Sequence, residues 1–190
     1  MMMVFQKNID YLNVKSRENF SMVDNEILNQ YREGVRGLLQ SGAKEEVRSS
    51  VPEFQSIILE EVLSFAQKEI VGVYNCAKVK LLTGNAKDIL KGKKVANVHI
   101  KVICLPDEGC SITCDLAEIF KQLPSKMKFS DSLLTVVVVD GSVTLAIGGG
   151  VGDPLLLYPG GLEDFTQSAL KFANDLWTFV DISADEGSHS

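Results

Sequence analysis

The chain has 190 residues, of which 45% are apolar and 23% charged, which is ordinary globular usage and excludes a wholly disordered chain. A formal charge of -6 and a pI near 5.0 argue against nucleic acid as a partner, because a polyanion is repelled unless one face gathers the basic residues. No run approaches the roughly 18 consecutive apolar residues that cross a bilayer, and Met1 to Asn8 pass at once into polar residues, which argues against a secretory leader.

Residues 1–23 show no period and are rich in Asn, Ser and Lys, an arm whose Val4, Phe5, Ile9, Leu12 and Phe20 can dock. Asp24 reads as the N-cap of a helix carrying Ile27, Leu28, Tyr31, Val35, Leu38 and Leu39 at spacings of three and four, closed by Ser41-Gly42. Gly34 and Gly37 each weaken that helix by about 1 kcal/mol relative to Ala, or let a neighbour come close. Pro52 then opens a second helix, where its missing N–H does no harm, with Phe54, Ile57, Ile58, Val62, Phe65, Ala66 and Ile70 on one face. From Val71 the period shortens to two through Val73, Ala77, Val79 and Leu81, which predicts a strand.

Thr83-Gly84-Asn85 breaks it, residues 86–90 make one helical turn before Gly92, and alternation resumes. Ala96, Val98, Ile100, Val102 and Cys104 face one way while Asn97, His99 and Lys101 face the other. A turn at residues 105–109 leads to a short helix bearing Ile112, Leu116, Ile119, Phe120 and Leu123, stopped by Pro124. The β-branched run from Leu133 to Val139 predicts a central strand buried on both faces, and Asp140-Gly141 a type I′ turn returning Val143 to Ile147 antiparallel to it. Leu155 to Tyr158 is a further short strand. Leu162, Phe165, Ala169, Phe172, Ala173, Leu176, Trp177 and Val180 trace a last helix, and the tail 183–190 is expected to be disordered.

These elements predict an α+β fold, a mainly antiparallel sheet of about five strands with helices upon it. Residues 1–50 form an arm and helix, and 51–182 a single core domain. From the second helix onward the order of elements resembles the roadblock family of dynein light chains and, more loosely, profilin-like folds. The resemblance is one of order, so it implies a fold and no site.

Several local features suggest chemistry. Gly148, Gly149, Gly150 and Gly152, followed by Asp153, form a loop whose backbone N–H groups can close on phosphate, although it leads into an extended run and not a helix. Gly160 and Gly161 precede a helix and offer it free N–H groups, yet Glu163 and Asp164 already serve that terminus. Cys104, Cys110 and Cys114 with His99 are the weak candidates for a metal. Only the spacing of Cys110 to Cys114 fits a zinc pair, and Cys104 faces the core, so the cysteines read first as buried apolar residues. With four cysteines in a chain that closes its own core, reduced thiols and a cytoplasmic setting are expected. The lysines from Lys87 to Lys101 read as solvated residues around a turn and a strand, or as an anion or RNA binder if they share one face. Asp107, Glu108 and Asp140 are carboxylates explained by their turns.

With no cofactor expected, the leading reading is a non-enzymatic protein-interaction or assembly module that meets a protein partner or itself, with no membrane involved. The alternative is a ligand-binding domain or enzyme with a pocket beside the glycine loop, for which a small anionic ligand is left open.

Overall fold

A strand buried on both faces must have strands on both sides and helices above and below, and the valine run has all four. A computed structural model describes residues 25–75, 84–105, 120–122, 135–147 and 153–187. Its elements in chain order are α1 (Asn25–Ser41), β1 (Val47–Ser49), α2 (Pro52–Phe65), β2 (Glu69–Asn75), α3 (Gly84–Val95), β3 (His99–Leu105), β4 (Lys121–Gln122), β5 (Thr135–Val139), β6 (Val143–Ile147), β7 (Leu155–Tyr158) and α4 (Glu163–Gly187). The fold is α+β, one seven-stranded sheet in the order β1-β7-β6-β5-β2-β3-β4, with β5 at its centre and every residue of β5 buried. Four of the six strand pairings are antiparallel, while β2 with β3 and β3 with β4 are parallel.

The period of two sorts side chains between two layers. Ile70, Val102, Cys104, Val137, Val139 and Leu145 point into the larger core beneath α1, α2 and α3. Val71, Val73, Ile103, Val136 and Val138 point the other way, against Ala169, Ala173 and Val180 of α4. Tyr31 of α1 stacks on Phe54 of α2 with ring centroids 4.0 Å apart, and both are fully buried. Burying an aromatic or branched side chain of this size contributes about 1.5–3 kcal/mol, so these two rings fix how the first two helices meet.

The structure differs from the expected elements in several places. The second helix stops at Phe65 and Ile70 belongs to β2, because the chain turns at Ala66 and Asp140 captures the next three N–H groups. The single turn expected before Gly92 is a helix of 12 residues that runs through that glycine, where an added Cβ would meet nothing. A solvent-facing glycine lowers helix propensity without blocking the helix. Asn97 at φ 60° ends it, its N–H donating to Lys94 O at 3.1 Å while Val98 N–H donates to Lys93 O at 3.0 Å, a Schellman closure. Since a whole helix now separates β2 from β3, that pair is parallel, and here the order departs from the one on which the roadblock resemblance rests.

Lys121–Gln122 is a strand within a stretch expected to be helical, and β1, a three-residue edge, has no forerunner in the sequence pattern. The backbone of α4 continues to Gly187, past the boundary at 182. Among the described residues no helix is long and apolar enough to cross a membrane.

Candidate functional site

Cys104 is fully buried among the residues beneath α1 to α3, and the alternation of β3 sends exposed His99 to the opposite face, so the two do not converge. Cys110 and Cys114 lie outside the described residues, as do Gly148, Gly149, Gly150 and Gly152. Asp153 is half-buried, and its backbone carbonyl accepts from Gln55 Nε2 at 3.4 Å. Among the described residues no group of three His, Cys, Asp or Glu side chains is placed to hold a metal ion.

Gly160 and Gly161 have a packing reason. Gly160 N–H donates to Ala43 O at 2.8 Å, and a Cβ there would stand 2.6 Å from Gly42 O. Gly161, at φ 67°, would put a Cβ 2.6 Å from Ser142 O, and its N–H donates to Tyr158 O at 3.0 Å. Both N–H groups that the sequence offers to an anion are therefore directed at carbonyls of the protein. The start of α4 is tied down further by Thr166, whose Oγ1 accepts from Leu162 N–H at 3.2 Å and lies 2.7 Å from Thr144 Oγ1 in the sheet.

Asp140 is likewise committed. Its carboxylate accepts N–H bonds from Gln67, Lys68 and Glu69 at 2.9, 2.8 and 2.9 Å. Burial alone would raise its pKa, but the backbone N–H bonds from Glu69, Gln67 and Lys68 outweigh that and hold it below the ordinary aspartate value. A carboxylate in this state is a clamp between the β5–β6 turn and the start of β2, and has no proton to give near neutral pH.

The densest buried charge joins α1 to α2. Arg32 donates to Glu61 at 2.6 Å and to Glu60 at 2.8 Å, and Arg36 grips Glu61 side-on through Nε at 2.6 Å and Nη2 at 3.2 Å. Glu60 and Glu61 are nearly sealed, at 6% and 4% exposure, so removing Arg32 would take its cation from desolvated Glu60, while Glu61 would keep Arg36. Burial would lower the pKa of Arg32, and its bonds to Glu60 and Glu61 reverse that. A cleft of about 390 Å³ lies beside this clamp, lined by Arg36, Leu39, Gln40, Glu61, Ser64, Phe65, Gln67 and Lys93. Its cations are engaged with the protein itself: Lys93 Nζ donates to Ser64 O and Ala66 O, both at 2.6 Å, and so caps the C-terminus of α2. The cleft is at the ends of the N-terminal helices and does not include Asp153.

The lysines that the sequence reading assigned to a turn and a strand are sorted by α3. At 100° per residue, Lys87, Lys91 and Lys94 fall on one stripe, separated by four and three positions, while Lys93 turns in towards α2. Lys91 and Lys94 are exposed and Lys87 half-buried. Ala86 and Leu90, both buried, lie about a quarter turn round the helix from the stripe and hold that flank against the core. Lys101 shares the face of Ile103, towards α4, and does not join the stripe. Sequence spacing alone could have revealed this surface had the helix been read at its full length. Across the sheet, the described side chains of α4 include Glu163, Asp164 and Asp175 against Lys171, so basic and acidic helices occupy opposite layers.

No family model and no curated protein matches the chain. Among solved structures, the fold is similar to that of Nuc, a phospholipase D family member from Salmonella typhimurium, with a TM-score of 0.50 at 12% identity over 70% of this chain and 93% of that one. It is similar also to TrmBL2, an archaeal chromatin protein with a novel mode of DNA binding, with a TM-score of 0.54 at 12% identity over 73% of this chain. The match spans 53% of TrmBL2, about half its length. At such identity the likeness is one of fold. It nonetheless corrects the composition argument against nucleic acid, because a DNA-binding chromatin protein shares this fold. A total of -6 also conceals how the charges are placed, with net +3 on α3.

Proposed function

We propose that this chain is a non-enzymatic binding module whose partner is nucleic acid, met through the basic stripe of α3. The observation that carries the reading is the lysine stripe Lys87, Lys91 and Lys94 on a helix anchored to the core by Ala86 and Leu90 on the adjoining flank. Lysines held in a row on a rigid element present fixed positive charge to phosphates and release counterions when they bind. The occurrence of the same fold in a DNA-binding chromatin protein supports the choice of partner. A non-catalytic role is supported by the use already made of the best-held carboxylates, Glu60, Glu61 and Asp140, each engaged in joining elements. Cys104, sealed in the core as a small apolar residue, is in keeping with a reducing cytoplasmic setting.

The test is a fluorescence-anisotropy titration of a labelled DNA duplex at low salt with the wild type and with Lys87→Glu/Lys91→Glu. Reversing two lysines is expected to weaken binding by about tenfold or more, since each removes a phosphate contact and adds a repulsion. Absence of binding by the wild type at low salt, or equal binding by the variant, would reject the proposal.

A further inference from the structure

Resting on that reading, we infer that the α3 stripe takes the phosphate backbone of a duplex, on one side only and without reading its sequence. The stripe from Lys87 to Lys94 rises by about 10.5 Å along the helix, close to three phosphate-to-phosphate steps of one strand at about 3.4 Å each. A rigid row of that length matches a rigid backbone. The side chains on the stripe and beside it are Lys87, Lys91, Lys94, Asp88 and Val95, the last 84% exposed. They include no Arg, Asn or Gln to fork onto a base edge; Lys can reach guanine, but as a compact point charge on a flexible stem it pairs with any phosphate whatever the base, and Asp88 is repelled from phosphate. The match of the row to successive phosphates therefore sets the helix along the backbone.

Single-stranded partners are held by stacking bases on exposed aromatic rings. Among the described residues the exposed aromatic side chains are Phe172 and Phe179, and both are on α4, across the sheet from the lysines. Glu163, Asp164 and Asp175 of α4 repel a polyanion from that layer, so the duplex is touched on one side and is not wrapped. With about three phosphates neutralised, the logarithm of the binding constant should fall with the logarithm of salt at a slope near -2.7.

The experiment titrates the full chain against two duplexes of unrelated sequence and equal length, and against one of their single strands, over a series of salt concentrations. The two duplexes should bind within about twofold of each other and the single strand more weakly. The slope should be near -2.7 and should lose about 0.9 in Lys91→Gln, which keeps the helix while removing one charge. Lys171→Glu, on the acidic layer, should bind as the wild type does. A preference of tenfold between the duplexes, tighter binding of the single strand, or a slope unchanged in Lys91→Gln would overturn the inference and leave the nucleic-acid reading standing. Binding of none of these probes would overturn that reading, and the inference with it.

Discussion

Asp140→Asn changes one carboxylate oxygen to an amide nitrogen at the point where the β5–β6 turn grips the start of β2. Asn tolerates a left-handed backbone, so the φ of 50° at this position is not disturbed. Oδ1 can keep the N–H groups of Lys68 and Glu69, whereas the new NH₂ faces the N–H of Gln67 with no acceptor between them. Hydrogen bonds to a charged group contribute about 1.5–3 kcal/mol each when buried, but the bonds from Gln67 and Lys68 are solvent-exposed, which reduces the whole effect to about 2 kcal/mol. At a urea m value of about 2 kcal/mol/M this is a midpoint shift of about 1 M.

The folded pKa of Asp140 lies below its unfolded value, so its contribution is complete above the unfolded pKa of about 3.9 and is lost as pH falls through the lower, folded one. Urea unfolding followed by Trp177 fluorescence should therefore show the full gap at neutral pH and a narrowing gap towards the acid limit at which both proteins still fold. A loss of the same size at every pH would refute the charge argument, and a loss below about 0.5 kcal/mol would refute the clamp itself.

Gly72→Ala places a Cβ against the Val136 carbonyl oxygen and 3.0 Å from Val137 Cα, both backbone, and should destabilise by about 2–3 kcal/mol in the same assay. Glu61→Gln deprives Arg32 and Arg36 of their shared charge. Because the Arg36 side chain is 47% exposed and can turn to water, the loss should be about 2 kcal/mol, short of the 3–5 expected of a sealed pair, and thermal melting would measure it. Thr166→Val leaves the buried Thr144 hydroxyl without its 2.7 Å partner and should cost about 1–2 kcal/mol. Adding Thr144→Val should restore part of that, and a double-mutant cycle with no coupling would count against the bond.

Local pattern carried most of the scaffold. The β-branching of Val136 to Val139 announces a strand buried on both faces, Asp140-Gly141 announces its turn, and the stripe from Phe165 to Val180 announces a helix over a sheet, since each depends on side chains only a few positions apart. Where a local signal has two meanings, the tertiary structure chose. Gly92 resembles a stop but faces solvent, so α3 runs through it, and that helix makes β2 and β3 parallel when they would otherwise have met as neighbours in a hairpin. Gly160 and Gly161 look like open N–H groups until Gly42, Ala43 and Ser142, distant in the chain, close upon them. The charge of the sequence argued against a polyanion, whereas the fold parts basic α3 from acidic α4 by the thickness of a sheet. Net charge is a sum and holds no positions; a partner meets the field of one surface, and only the packing of the helices on either side of the sheet decides which charges form it.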